Sequence, residues 1–498
     1  MNDWAELGRA LDALVACGQA EVREDGEWLA ELATLHCELR SLDKNPLVHL
    51  WSGERNLTRR IVRVREQSAE RIVLEVHRFG RTKPSRLEFL RTDARRSAGR
   101  ITREQFRARF GRMLAERFPD AVVESLTAAP DLEHSFSGLY VRGRMREGGR
   151  AWAVLAVSPG EASAAVDGML TFGILWLDWM RQHAERQAIE GVRLFVPEGS
   201  SGRLRERAGA LSSAGRAEIF EFCEAEDRIE RRDPADGGNL DSWLLPRREA
   251  ESALREAREA AARMECLAPK LTAAGSPVRV APAPGAKEVI CSYRGLEFAR
   301  WSSDGMRFGL GDAKENLSAG NEGALERLLG QMELHRHSLS SETNHALYRA
   351  APERWLETLV LEDPARLDAQ LDPRYLYSQV PAVAAGDRGV LDLLGVTRRG
   401  RLVVIELKAS EDIQMPMQAV DYWLRVRRHQ RAGDFERSGY FVGMEIDPKP
   451  PLIWLVAPAL RFHSALETLL PYLAPDIQVT RVGLNETWRR GLKVMFRK

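Results

Sequence analysis

Apolar and polar positions change period several times along the chain, and each change marks an element. Residues 1–44 read as a helical lead with a short strand-like stretch at Ala20 to Glu24. From 45 to 92, RRIVRVRE, ERIVLEVHRFG and SRLEFLRT alternate apolar and charged residues, as an antiparallel meander with one wet face does. ITREQFRARFGRMLAERFP then reads as a helix opened by Thr102, with Gln105 three positions on as a capping box. Short apolar runs follow at AWAVLAV and VRLFVP, and again at RLVVIEL and LIWLVAP, the pattern of strands buried on both faces. Between the two sets lie an Ala/Glu/Arg-rich helix and TAAGSPVRVAPAPGAK, a Pro-rich linker, together spanning 246–287. Strand character returns at EVICSYRGLEFARW and GMRFGLG, so 288–345 reads as a β-rich and then helical lead-in.

The order of elements repeats. Helix, strand, Gly turn, apolar strand, helix and buried strand occur in that sequence over 101–245 and again over 346–498. The predicted fold class is therefore α/β, with two tandem domains. Each has a mixed central sheet flanked by helices, and each is preceded by a small β-rich segment (45–100 for the first).

Chemistry gathers in the second copy, in GVLDLLGVTRRGRLVVIELKA (389–409). Val390 to Val396 and Leu402 to Lys408 read as strands joined by a turn in which Gly400 supplies the unusual backbone angle. Asp392 sits among apolar residues on the first strand. Glu406 and Lys408 share one face of the second. Buried carboxylates and ammonium groups need partners or a metal, and two carboxylates with a main-chain carbonyl make an oxygen site suited to Mg²⁺.

These residues resemble the PD-(D/E)XK nuclease superfamily, whose fold is restriction-endonuclease-like. Its signature is an Asp on one strand and Glu-x-Lys on the next, here Asp392 and Glu406-Leu407-Lys408, with Leu391 where the family often has Pro. Glu357 in PERWLETLVLED matches the helical Glu found upstream. Gln418 and Tyr422 match the Gln-x-x-x-Tyr of RecB-like branches. The resemblance implies a Mg²⁺- (or Mn²⁺-) dependent hydrolase of nucleic-acid phosphodiesters, DNA before RNA. Asp392, Glu406, the Leu407 carbonyl and Glu357 would hold metal, Lys408 would position water, and Gln418 and Tyr422 would orient the motif or meet substrate. In the first copy, laying AVLAVSP on VVIELKA puts Ala156 and Ser158 at the places of Glu406 and Lys408, with Arg142 or Arg144 at that of Asp392, so that copy reads as a degenerate nuclease-like domain. The alternatives are a catalytically inactive nuclease-fold protein that binds nucleic acid or acts as a scaffold, and an RNA-directed or defence effector nuclease.

Composition limits the rest. The 498 residues carry a net charge of +1, so any nucleic-acid surface must be local. Candidates are Arg81, Lys83 and Arg86 on the meander, and Arg425, Arg427 and Arg428 beside the Gln418–Tyr422 helix. Five scattered cysteines point to reduced thiols in a cytoplasmic protein. No apolar run approaches about 18 residues, so no membrane partner is expected. His335, His337 and His345 cluster and are more readily a loop than a metal site. A homodimer or an internal pseudo-dimer both fit the tandem plan.

Overall fold

In the computed structural model the chain is described over residues 4–16, 20–25, 27–32, 35–42, 45–51, 56–78, 84–91, 103–131, 134, 136–184, 187–234, 242–244, 251–267, 277–283, 288–311, 313–384 and 387–498. It is an α/β protein, with four sheets among the described residues.

The first sheet has seven antiparallel strands: β1 Ala20–Glu24, β2 Glu27–Glu31, β3 His36–Leu42, β4 Asn45–Trp51, β5 Asn56–Gln67, β6 Arg71–Arg78 and β7 Ser85–Arg91, in the order β2-β1-β7-β6-β5-β4-β3. Among the described residues of the helical lead expected over 1–44, the α-helix is Trp4–Ala16, whose Leu7, Leu11 and Leu14 lie on the sheet at helical spacing. Residues 20–42 instead belong to the meander, because β1 closes the sheet against β7 (Ala20↔Arg91 to Glu24↔Leu87). A fully buried Glu24 bonds both edges of Arg59 at 2.9 Å and the Ser85 hydroxyl at 2.7 Å. The wet-face arginines are matched with acids along the sheet: Arg63 and Arg65 with Glu75, and Arg86 with Glu88 at 3.0 Å. Arg81 and Lys83 lie outside the described residues.

Helix Arg103–Arg117 opens the second sheet, which comprises β8 Ala121–Thr127, β9 Tyr140–Glu147, β10 Arg150–Val157, β11 Ile189–Pro197, β12 Ala217–Cys223 and β13 Arg228–Arg232. The helix packs on one face through Phe106, Phe110 and Leu114. Helix Met169–Gln182 covers the other face.

β14, Ser242–Leu244, leaves this unit and pairs with the strand Tyr377–Ala384, so the chain crosses to the last sheet earlier than the expected boundary at 245. Helix Glu251–Leu267 is not a solvated linker: Ala260 and Met264 are fully buried, and Met264 joins the core of a small sheet. Part of the expected Pro-rich linker is itself a strand of that sheet, β15 Val278–Pro282, followed by β16 Val289–Tyr293, β17 Leu296–Ser302, β18 Gly305–Leu310 and β19 Ala313–Asn316. Helix Glu322–His335 packs on it.

The last sheet contains β20 Tyr377–Ala384, β21 Asp387–Val396, β22 Leu402–Leu407, β23 Leu452–Pro458, β24 Gln478–Leu484 and β25 Val494–Arg497. Helix Pro352–Glu362 lies on one face and helix Met415–Ala432 on the other. Gly400 has φ +84°, and a Cβ there would meet the Glu445 carbonyl at 2.1 Å, so the β21–β22 turn requires glycine.

Strand for strand, β8–β13 and β20–β25 run in the same order and the same senses: antiparallel, antiparallel, parallel, parallel, antiparallel. The two units meet in one continuous core, where Leu170, Ile174 and Leu177 of the first join Met417, Val420 and Trp423 of the second. The seam is reciprocal. Asp421 of the second unit takes both edges of Arg207 from the first at 2.6 Å, and Asp178 of the first accepts the Tyr472 hydroxyl of the second at 2.9 Å. Leu211 and Leu473 form an antiparallel bridge between them.

Candidate active site

The site begins where two strands part. The β21–β22 ladder runs from Val396↔Leu402 to Leu393↔Ile405, which brings Asp392 opposite Glu406. There the Leu407 amide donates to Asp392 Oδ2 at 3.0 Å, so a carboxylate takes the place of a main-chain acceptor. The Leu407 carbonyl lies just beyond the end of that ladder. Glu406 is 3 % exposed. Its Oε1 lies 3.3 Å from Lys408 Nζ, while its Oε2 is buried with no hydrogen-bond donor. Lys408 also meets Asp412 Oδ2 at 3.0 Å. From helix Pro352–Glu362, the buried Glu357 comes near enough to feel the Asp392 charge, and accepts from Arg354 Nη1 at 2.9 Å and Gln379 Nε2 at 3.0 Å.

Burial, then the Asp392 charge, pushes Glu406 up to about 8. Burial pushes Glu357 up to about 7 against the pull of Arg354, and raises Asp392 as well. Burial pulls Lys408 down, but Glu406 and Asp412 outweigh it and hold the ammonium above its ordinary value. Asp392 and Glu406 thus resist ionising side by side, with an oxygen lacking a donor between them, and Glu357 does so nearby, the three carboxyls not all lying within 4.8 Å of one another. A divalent cation held by oxygen ligands fits that donor set, since it would supply the missing positive charge.

Tyr422 lies half-buried on the same face of the sheet as Glu406. Its phenol is pushed up by burial and then by the Glu406 and Asp392 charges, which places it beside the acids. Gln418 stands one helical turn earlier, also half-buried. The structure therefore brings together Glu357, Asp392, Glu406, Lys408 and Tyr422, with Gln418 next in line.

The three arginines expected to grip phosphate are placed otherwise. Arg425 is buried. Arg427 Nη1 bonds Gln430 and the Pro448 carbonyl, each at 2.8 Å. Arg428 reaches Glu206 across the seam at 3.3 Å.

Gln379 was not legible in the sequence. It stands opposite Asp392 in the β20–β21 register, skipped by the pairs Ser378↔Leu393 and Val380↔Leu391, and has φ +53°. Such a non-glycine backbone is strained, and the Gln379 amide donates to Glu357. Asp412, Arg354 and Glu353 (whose Oε1 takes the Ala409 amide at 3.2 Å) were missed too, having only ordinary helix or loop signals.

Among the described residues, His335, Glu342 and His345 are the only three His, Cys, Asp or Glu side chains whose ligand atoms all lie within 4.8 Å of one another. The two rings stack at 3.7 Å, and His335 Nδ1 is 2.7 Å from Glu342. His345 Nδ1 accepts the Leu347 amide at 3.2 Å, so that lone pair is spent capping a helix. His337 is not part of the group.

The first unit has a counterpart position. β11 and β23 both end in proline, and matching Pro197 with Pro458 sets Leu194 on Leu455. Their partners on the preceding strands are Leu155 and Glu406, and across the antiparallel pair lie Arg142 and Asp392. Leu155 and Val157, not Ala156 and Ser158, thus occupy the places of Glu406 and Lys408. Ala156 faces the Arg103–Arg117 helix, and a one-residue slip moves every side chain to the opposite face. Matching the seam aspartates, Asp178 with Asp421, sets Leu175 at Gln418 and Trp179 at Tyr422. Arg142 is 6 % exposed and lies between the rings of Phe136 (5.1 Å) and Trp176 (5.7 Å).

No protein-family model matches the chain, and no curated protein is significantly similar to it. No described helix is long and apolar enough to cross a membrane.

Proposed function

We propose that the chain is a metal-dependent nuclease that hydrolyses phosphodiester bonds of nucleic acid, DNA in the first instance, at the Asp392–Glu406–Lys408 centre. The observation that carries this reading is the meeting of Asp392 and Glu406, from two adjacent strands, beside Lys408, with Glu406 Oε2 buried and bare. Under this reading the two α/β units are tandem restriction-endonuclease-like domains, and the first has lost its ligands. The reciprocal seam favours an internal pseudo-dimer over association of two chains.

Asp392, Glu406 and the Leu407 carbonyl would hold Mg²⁺ or Mn²⁺, and Glu357 would hold a second ion or an ordered water. A cation bound there polarises the scissile phosphate and lowers the pKa of the attacking water. The chain's own groups do the positioning. Lys408, fixed between Glu406 and Asp412, keeps its proton and directs a donor at the reacting centre. Asp392 is fixed by the Leu407 amide, and Glu357 by Arg354 and Gln379. Tyr422 closes the helix side of the site and limits water access.

The test is cleavage of end-labelled linear, circular and single-stranded DNA with Mg²⁺, Mn²⁺ or EDTA, beside Asp392→Ala. Cutting that needs metal and vanishes in the variant is the expected result. Equal cutting by the variant, or no metal binding by calorimetry, overturns the assignment.

A further inference from the structure

Next to the acid centre lies a group of cations with no acid of its own. The guanidinium groups of Arg336, Arg489 and Arg294 stand 4.8, 5.2 and 5.6 Å from the centre of the Trp355 ring. Arg489 also lies on Trp488 at 4.2 Å and on Tyr348 at 4.8 Å. Arg336 is fully buried, and its donors go to the main-chain carbonyls of Tyr293, Arg294, Leu347, Ala350 and Ala351. The Nε atoms of Arg294 and Arg489 are buried without an acceptor.

This differs from several arginines elsewhere in the fold, though Arg142 also stands between rings, without an acid paired to it among the described residues. Arg59 holds Glu24, Arg193 holds Glu218 and Arg207 holds Asp421. Among the described residues no such ion pair includes Arg294, Arg336 or Arg489. The acid whose charge Arg489 feels, Glu353, already takes the Ala409 amide with its Oε1. A cation–π contact contributes about 0.5–2 kcal/mol. Removing a charge from water costs several. Three like charges around one indole are therefore under-compensated, and an anion of more than one charge is what the group lacks. Guanidinium forks suit a phosphate, because two N–H groups meet two oxygens.

The place is telling as well. Trp355 precedes Glu357 by two residues on the same helix, and Glu353 binds the residue after Lys408. We infer that Arg294 and Arg489, backed by Arg336, hold a backbone phosphate of the nucleic-acid substrate neighbouring the one at the acid centre. This rests on the nuclease reading above and adds which phosphate-binding residues the substrate meets. They come from the β16–β17 turn of the small sheet and from the segment before β25, so the sheet preceding the second unit becomes part of the substrate site.

The test measures anisotropy of a labelled duplex and a labelled single-stranded oligonucleotide, with Ca²⁺ in place of Mg²⁺, across a KCl series. The proteins are the full chain and its Arg294→Gln, Arg489→Gln and Arg489→Lys variants, with melting temperatures recorded throughout. Arg336 is left intact because its carbonyl clamp holds the fold. Each Gln variant should weaken binding roughly five- to tenfold and reduce the salt slope by about 0.9 on duplex or 0.7 on single strand. Arg489→Lys should recover the slope more than the affinity. In cleavage with Mg²⁺, KM should rise while kcat holds. Unchanged affinity and slope in folded Gln variants overturn the inference and leave the nuclease reading standing. If the parent protein binds neither oligonucleotide, the nuclease reading falls. In that case inorganic phosphate decides: a rise in melting temperature that the Gln variants lose upholds a phosphate site filled by free phosphate, and no rise in the parent overturns it.

Discussion

The two α/β units share a sheet plan and differ in what they place at its centre. Where β21 and β22 present Asp392, Glu406 and Lys408, β9 and β10 present Arg142, Leu155 and Val157. Where one helix carries Gln418 and Tyr422, the other carries Leu175 and Trp179. The first unit fills the position with apolar bulk and one guanidinium held between two rings. The second leaves carboxylates under-solvated around one lysine. Topology is common property, so strand order carries no information about chemistry. The chemistry lies in which side chains occupy one register position, and the second unit bears a stability cost that the first does not.

The sharpest test of that difference is kinetic. Asp392→Ala or Lys408→Ala should lower cleavage by about 10³-fold or more, the scale seen when a preorganised charge is removed from a reacting centre. Substitutions at Leu155 or Val157 should change stability and leave turnover of folded protein alone. Comparable loss of turnover from both sets, measured on proteins of equal melting temperature, would mean that both centres work.

The seam supplies the next contrast. Asp421→Ala strips the counter-charge from Arg207, which is 5 % exposed, and should destabilise the chain by roughly 3–5 kcal/mol. Asp178→Ala removes a carboxylate that accepts the Tyr472 hydroxyl and should cost about 1–2 kcal/mol. Denaturant titration with matched m-values measures both. Equal losses would show that the reciprocal contacts are energetically as well as geometrically alike.

Much of this was legible because long apolar runs name buried strands unambiguously, and Asp392 and Glu406 interrupt such runs. The register of the first copy was not. AVLAVSP is apolar at nearly every position, so no alternation fixed which side chain faces which helix. Residues 27–42 hid their strands because HCELRSL alternates only weakly, and the Ala/Glu/Arg composition of 251–267 masked a buried stripe of Ala260 and Met264. Gln379 was invisible in principle, since its role depends on a positive-φ break in the ladder opposite Asp392. The arginines beside Tyr422 looked like phosphate ligands on charge alone, and the fold spends them on burial, carbonyls and the seam.

Proton linkage separates the units further. A carboxyl raised in the folded state binds its proton more tightly there than in the unfolded chain, so stability falls as pH rises between the two values. For Glu406 that window runs from the ordinary carboxylate range to about 8, with Glu357, at about 7, inside it. In EDTA the protein should lose on the order of 2–4 kcal/mol between pH 5.5 and 8.5. Mn²⁺ should restore more of that stability at pH 8.5 than at 5.5. Glu406→Gln should flatten the profile in EDTA and remove most of the metal response. A profile that stays as steep in Glu406→Gln would move the linkage elsewhere.

The smallest expected effect is at Arg142. Its guanidinium is buried between Phe136 and Trp176, its Nη1 has no acceptor, and burial holds it below the ordinary arginine value. The acid whose charge it feels, Asp131, is bound to His134 at 2.9 Å. Arg142→Met keeps the length and apolar body of the side chain while removing a charge that the surroundings satisfy only through two ring faces. Exchanging a buried, poorly paired charge for an apolar side chain of similar volume is often neutral or favourable. Arg142→Met should therefore shift unfolding free energy by within about 1 kcal/mol, in either direction, and leave cleavage unchanged. The matching exchange in the second unit, Asp392→Leu, should also be tolerated by the fold but abolish cleavage. If Arg142→Met instead lost several kcal/mol, the guanidinium would be a structural cation standing where the second unit is proposed to take a metal. The two centres would then differ in the kind of positive charge they need, and not in whether they need one.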